Sequence, residues 1–370
     1  MAEKLLMKGT EAVSEAAVRA GCRFFAGYPI TPQNEVPEYM SRKMPKVGGV
    51  FIQGESEIAS VNMVLGAAAS GVRCMTSSSS CGISLKSEGI SFLAGARLPA
   101  VIANFQRGGP GIGSIQPAQQ DYFQATKASG NGGFRMLVLA PSTLQEAVDL
   151  TYRAFDLADK YRNPVCLLLD GFIGTMMEPV ELPEAKGEEE LQKIRASKAW
   201  IAGSGVRTGE PHHVLCGAGL NVKFNQEELN IRDAAMYEVW ERDEVEYEEG
   251  YTDDAELILT AYGISGRIIK SAVNVLRSEG YKVGFIRPIK VNPFPDEPYG
   301  KLDYSRIRAV LCAEMSIPAQ FAIDVKNAIR GRAEVDTVLS SGGTVLDRDR
   351  VIEKSKTLLK NRTEGGKNNE

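Results

Sequence analysis

The sequence predicts an α/β protein whose strands form parallel sheets with helices on both faces. Three observations carry this. Strand-like and helix-like runs alternate from the N-terminus to about residue 172, and again from 255. The strand-like runs are continuously apolar, as in 164–172 (PVCLLLDGF), rather than alternating, which marks burial on both faces. Of the 370 residues, 43% are hydrophobic and 24% charged, enough apolar material to build a core and too much for a disordered chain. At roughly 150 residues per domain the length suggests two domains.

The elements follow in order. Residues 10–20 (TEAVSEAAVRA) have helical periodicity, with Gly21 placed to end the helix. Residues 22–29 read as a short buried strand closed by Pro29, and 50–54 (VFIQG) as a second. The latter runs into 56–71, whose small and apolar residues suit a closely packed, buried helix. Strands at 72–79 and 99–106 flank a helix at 84–96; a helix near 118–128, a strand at 135–141, a long helix at 142–161 and a strand at 164–172 complete the first unit, 1–172. Residues 173–250 carry the acidic runs AKGEEEL and ERDEVEYEEGYTDD and read as an irregular, solvated connection. A second unit, 251–350, has strands at 255–263, 281–289 and 308–316, and helices at 265–280, with Ser265 as N-cap, and at 319–331. Residues 351–370 read as a polar tail that frays.

Composition narrows the function. A formal net charge of −4 gives no electrostatic footprint for nucleic acid. No run approaches the ~20 apolar residues of a membrane span, and the start does not read as a secretory signal, so a cytoplasmic location is expected. Six cysteines, at 22, 74, 81, 166, 216 and 312, include no C-x-x-C pair, which leaves no cluster or zinc spacing and suits thiols in a reducing compartment. The adjacent His212 and His213 would point to opposite sides of a strand. No metal site is expected in this chain.

In parallel sheets ligands sit outside the carboxyl ends of the strands. Four such loops stand out. Tyr28-Pro29-Ile30-Thr31-Pro32 holds a hydroxyl in a rigid turn, or is a plain proline-rich turn. Gly54-Glu55-Ser56-Glu57 sets two carboxylates at a strand-to-helix junction, either as helix caps or, if the apolar helix buries Glu57, as a group suited to proton exchange. Thr76 to Gly82 offers hydroxyls and N–H groups, or is a flexible serine-rich loop. Arg107-Gly108-Gly109-Pro110-Gly111-Ile112-Gly113 lacks the third glycine of a dinucleotide fingerprint. Its arginine could grip a carboxylate or simply sit on the surface. A Ser-His-Asp hydrolase is improbable with only two histidines, both distant in the chain.

The order YPITP, QGESEIA, TSSSSCGISL, RGGPGIG and DYFQATK resembles the α subunit of 2-oxoacid:ferredoxin oxidoreductases, which are thiamine diphosphate enzymes; AELILTAYGISGRIIKSAV, GYKVGFIRPIKVNPFP and LCAEMS are similar to that family's second domain. The resemblance covers residues 6–345. It implies a pyrimidine-binding domain followed by a smaller domain like the transketolase C-terminal domain. The strings MTSSSS, RGGPGIG and DYFQATK most resemble the 3-methyl-2-oxobutanoate (2-oxoisovalerate) branch, with the pyruvate and 2-oxoglutarate branches as competitors. Cys81 stands where the family has proline, and Asn131-Gly132-Gly133 replaces a Gly-His-Gly run; these departures bear on substrate preference rather than on the cofactor.

The resemblance implies oxidative decarboxylation of a branched-chain 2-oxoacid to an acyl-CoA and CO2, with reduction of ferredoxin, in anaerobic metabolism. Glu57 matches the glutamate that bonds the aminopyrimidine N1′ and so favours loss of the thiazolium C2 proton. Thr31 and Arg107 would meet the substrate, and Tyr28, Pro29, Ile30, Ser79, Ser80 and Gly82 would lie at the cofactor. The metal-binding G-D-G of thiamine enzymes is missing, the nearest string being Leu169-Asp170-Gly171, and so are cluster cysteines. The resemblance therefore implies that diphosphate and magnesium bind on a β subunit, and that iron–sulfur clusters are carried by other chains. The implied assembly has β, γ and ferredoxin-like δ subunits, with ferredoxin and coenzyme A as substrates. Competing readings are a non-catalytic scaffold subunit of the same fold, for which a carboxylate at Glu57 has no chemical use, and another thiamine enzyme.

Overall fold

The computed structural model describes residues 4–202 and 226–364. Among these, fourteen strands form three sheets: β1 (Lys4–Lys8), β2 (Phe24–Gly27), β3 (Val50–Gln53), β4 (Cys74–Ser78), β5 (Val101–Gln106), β6 (Leu137–Leu139), β7 (Val165–Asp170), β8 (Met177–Glu181), β9 (Tyr247–Gly250), β10 (Leu257–Thr260), β11 (Val283–Pro288), β12 (Lys290–Asn292), β13 (Ala309–Glu314) and β14 (Glu334–Leu339). The main sheet has the order β12-β6-β7-β5-β4-β2-β3 and is parallel except for β12. The second has the order β14-β13-β10-β11-β9, parallel except for β9. β1 and β8 form an antiparallel pair.

The main sheet is buried on both faces, as its continuous apolar strands require. All six side chains of both β5 and β7 are buried. The order in which successive strands are added across the sheet reverses at β2. The helix after β2, Glu35–Lys43, packs with helix Gly9–Arg19, whereas the helices after β3 and β4, Glu57–Ala69 and Cys81–Gly95, pack together. Adjacent strands β2 and β4 thus send their loops to opposite faces, which opens a crevice at their carboxyl ends.

The two units are joined by more than a linker. β12, from the second unit, adds to the edge of the main sheet through Lys290 and Asn292 opposite Leu139 and Val138. Asp170, at the end of β7, accepts from Ile173 N–H and Ile264 N–H, each at 3.0 Å, and so caps helices in both units. Burial pushes its carboxyl up to about 6. Arg287 of β11, 2% exposed, reaches Glu146 on the long helix Leu144–Tyr161.

Several sequence expectations need correction. Residues 173–250 are not irregular throughout: they contain β8, β9 and the helices Glu188–Ala196 and Gln226–Asp243, the latter anchored by Trp240, 1% exposed. The tail expected at 351–370 is largely a helix, Arg348–Glu364, whose Val351, Ile352 and Leu359 reach the core between charged neighbours. The helix expected from Ser265 begins at Gly263 with Tyr262 as N-cap; Ser265 lies in the first turn and donates to Gln119 Oε1 at 2.6 Å. The helix expected at 118–128 is only Tyr122–Thr126. Cys216, His212 and His213 lie outside the described residues. The described cysteines are free thiols, and among the described residues no cluster of His, Cys, Asp or Glu could hold a metal ion. No helix there is long and apolar enough to cross a membrane.

Candidate active site

The four loops singled out above meet at the carboxyl edge of β2, β3, β4 and β5. One main-chain and one side-chain hydrogen bond hold them in register: Gly54 N–H donates to Gly27 O at 3.0 Å, and Ser77 Oγ donates to Gln33 Oε1 at 2.5 Å. Arg107 Nη1 donates to Thr31 O at 3.0 Å, and Arg107 N–H to Ser80 Oγ at 3.0 Å.

Glu57 opens helix Glu57–Ala69. Ser56, in extended conformation, caps that helix by accepting from Ala59 N–H at 3.1 Å, so capping falls to Ser56 and leaves Glu57 free of it. Glu57 is 6% exposed, and among the described residues its carboxylate makes no hydrogen bond or ion pair; its backbone oxygen accepts from Lys86. Gly82 makes room for the carboxylate: a Cβ at residue 82 would lie 2.7 Å from Glu57 Oε1 and 2.0 Å from Ser78 Oγ. Only glycine lets the start of helix Cys81–Gly95 come this close.

The serine run divides by role. Ser78 Oγ and Ser79 Oγ are buried and unpaired. Ser80 has φ +34°, a left-handed value that strains a residue with a side chain. Its hydroxyl donates to Asp121 Oδ2 at 2.6 Å, and its N–H donates to Asn104 Oδ1 at 3.0 Å. Ser80 is therefore committed to holding the turn. Burial raises the Asp121 carboxyl above the usual carboxylate range, against the lowering effect of Ser80, Asn104 and Arg107. Neither Asp121 nor Asn104 was expected from sequence, since both lie outside the four loops.

Arg107 is 5% exposed, not a surface residue. Besides Thr31 O, its Nη2 meets Ile112 O at 3.0 Å and Cys81 Sγ at 3.1 Å, while Nε has no partner. The arginine thus pins the glycine loop and faces the same crevice as Cys81. Tyr28 and Pro29 are exposed at its rim and Ile30 and Thr31 half-buried. One charged group was missed outright: Lys86, 0% exposed, whose Nζ donates to Glu57 O at 3.3 Å. The signal was a lone lysine within the apolar run of helix Cys81–Gly95.

The helices flanking the crevice are not fully buried, contrary to the sequence expectation for 56–71. Ile58 is 50% exposed, Leu85 51% and Phe92 37%. The crevice therefore opens beside an apolar face that the described residues do not cover.

This arrangement offers an unpaired carboxylate, two unpaired hydroxyls and a cationic wall. Such a set fits a polar, uncharged heteroaromatic ring, with the carboxylate on a ring nitrogen. Comparison with known proteins shows the family. Residues 15–246 match the family described as pyruvate flavodoxin/ferredoxin oxidoreductase, thiamine diphosphate binding, and 255–351 match the pyruvate:ferredoxin oxidoreductase core domain II. The chain is 46% identical over 350 residues to the ketoisovalerate oxidoreductase subunit VorB of Methanothermobacter thermautotrophicus, covering 94% of this chain and 96% of that one. It is 33% identical to the 2-oxoglutarate synthase subunit KorA of Methanothermobacter marburgensis, covering 96% and 99%. The solved 2-oxoglutarate:ferredoxin oxidoreductase of Magnetococcus marinus shares the fold, with a TM-score of 0.83 at 23% identity over 97% of this chain; the chain spans 66% of that longer one.

Proposed function

The chain belongs to the 2-oxoacid:ferredoxin oxidoreductase family and is an oxidoreductase subunit with a thiamine diphosphate-binding domain; on that premise we propose that it supplies the pyrimidine half of the cofactor site in an enzyme that oxidatively decarboxylates 3-methyl-2-oxobutanoate. Supporting the substrate is the higher identity to the ketoisovalerate subunits, 45–46%, than to the 2-oxoglutarate subunits, 32–36%. The products are the acyl-CoA and CO2, with ferredoxin as electron acceptor. The observation that carries the reading is Glu57, 6% exposed at the crevice, with a carboxylate that makes no hydrogen bond or ion pair among the described residues.

Thiamine diphosphate, when bound, supplies the electron sink for the pair released as CO2 departs. Glu57 would hold the aminopyrimidine ring and keep a proton at its nitrogen. Ser78 and Ser79 would offer hydroxyls to the ring's polar edge, with Gly82 leaving room for it and Tyr28, Pro29 and Ile30 forming its rim. Thr31 and Arg107 would orient the 2-oxoacid, Arg107 through the nitrogen it does not spend within the chain. Ser80, fully engaged with Asp121, Arg107 and Asn104, would shape the loop and contribute to the cofactor site through its backbone.

This chain has no G-D-G string and no C-x-x-C pair. The diphosphate, its magnesium ion and the iron–sulfur clusters are therefore assigned to β, γ and δ partner subunits of a cytoplasmic complex. The open apolar face at Ile58, Leu85 and Phe92 is the proposed seat of the β subunit. Residues 1–172 are the cofactor-facing unit and 251–350 the second domain.

The test is 2-oxoacid-dependent dye reduction by the assembled complex carrying Glu57→Gln. A loss of at least ~10²-fold is expected, the scale of one positioned proton-transfer group. Activity near wild type would remove Glu57 from this role. Turnover of 3-methyl-2-oxobutanoate against 2-oxoglutarate and pyruvate in the wild-type complex reads the substrate directly.

A further inference from the structure

Helix Cys81–Gly95 meets helix Glu57–Ala69 along a face carrying Gly82, Lys86 and Gly89, spaced i, i+4 and i+7. The glycines set the approach at both ends. A Cβ on Gly82 would lie 2.7 Å from Glu57 Oε1, and one on Gly89 would lie 2.4 Å from Val61 Cγ1. Between them, in a seam otherwise suited to an alkyl side chain, lies the fully buried Lys86 ammonium. Among the described residues its hydrogen bond goes to Glu57 O at 3.3 Å, one acceptor for three donors. An ammonium buried with so little compensation costs stability. A methionine would fill the same space without that cost.

We propose that Lys86 is a positioning residue for Glu57, its buried ammonium clamping the first turn of helix Glu57–Ala69 and setting a positive charge beneath the carboxylate that meets the cofactor ring. The inference rests on the reading of Glu57 given above. The charged group acting on Lys86 is Glu57; burial pushes the ammonium down to about 8, and Glu57 partly opposes this. From β4 the seam receives the uncharged Ser78, and Glu88 on the lysine's own helix is exposed.

A lysine poised near pH 8 makes the clamp pH-dependent in a way that a purely steric contact is not. The experiment is calorimetric titration of thiamine diphosphate, with magnesium, into the cofactor-depleted complex from about pH 6.5 to about 9.5, which brackets that value. Wild-type affinity is expected to fall as pH rises through about 8. Lys86→Met should bind about tenfold more weakly at neutral pH, the low end of what one opposite charge nearby contributes, and without that pH step. Lys86→Arg, which stays protonated, should bind tightly across the whole range. A Lys86→Met complex with wild-type affinity and the wild-type pH step would overturn the proposal. So would a Lys86→Arg complex that weakens through the same pH, which decides the matter even if Lys86→Met fails to assemble. Glu57→Gln separates the two claims: if it binds and turns over normally, the reading of Glu57 has failed. If it is impaired while Lys86→Met is not, only the role of Lys86 has failed.

Discussion

Gly82→Ala tests the geometry of the site with a single methyl group. An alanine Cβ there would sit 2.0 Å from Ser78 Oγ and 2.7 Å from Glu57 Oε1, with Glu57 Cγ at 3.1 Å. Comfortable non-bonded separations begin near ~3.5 Å, so the carboxylate must retreat by roughly 0.8 Å and the serine hydroxyl by more. Displacements of about 1 Å in a reacting group cost on the order of 10²-fold in rate. The helix itself should not suffer, because alanine is preferred over glycine in a helix by about 1 kcal/mol, which offsets part of the strain. The expected phenotype is therefore a complex that assembles and melts near the wild-type temperature but loses about 10²-fold in kcat/KM for 2-oxoacid-dependent dye reduction. Activity within about threefold of wild type would show that the carboxylate does not need to be where Gly82 puts it.

Three further outcomes are expected. Burial opposes ionisation of Glu244, but Lys160, Lys290 and Tyr161 outweigh it and hold the carboxyl at about 2. Its folded value lies below its unfolded one, so its stabilisation is present above about 4.5 and lost as pH falls towards 2. The full shift corresponds to about 3 kcal/mol, discounted to about 2 kcal/mol for solvent screening at the half-exposed Lys160, and Glu244→Gln should flatten the melting temperature over that window. Asp170 has the opposite sign: its folded value is raised to about 6, so its contribution is complete below about 3.8 and is lost as pH rises through 6. Asp170→Asn should remove that slope, read as melting temperature against pH. Finally, Ile58→Asp with Leu85→Asp should abolish co-purification of this chain with its partners while leaving its circular dichroism unchanged; retained assembly would move the proposed interface elsewhere.

The main sheet was legible because its strands are unbroken apolar runs ending in distinctive loops; β2, β3, β4, β5 and β7 fall within the expected segments. The elements that were not legible lack such a signal. β12 has three residues and joins a sheet whose other strands end more than a hundred residues earlier, a long-range pairing that no local period encodes. Helix Arg348–Glu364 hides Val351, Ile352 and Leu359 among charged residues, so composition reads as a tail while spacing builds a face. At the site, proximity of the four loops followed from the carboxyl-edge rule. The burial of Arg107, the commitment of Ser80 to Asp121, and the presence of Lys86 beneath Glu57 did not, because each depends on contacts between segments. The apolar helix over 57–69 was expected to be buried; Ile58 is 50% exposed, which apolar composition alone does not reveal.

The most direct measurement is the structure of the assembled complex with thiamine diphosphate bound. The account predicts a Glu57 carboxylate oxygen within about 3 Å of an aminopyrimidine ring nitrogen, and the diphosphate and its metal held by a different subunit. A carboxylate turned to solvent, or a cofactor enclosed entirely by this chain, would contradict it.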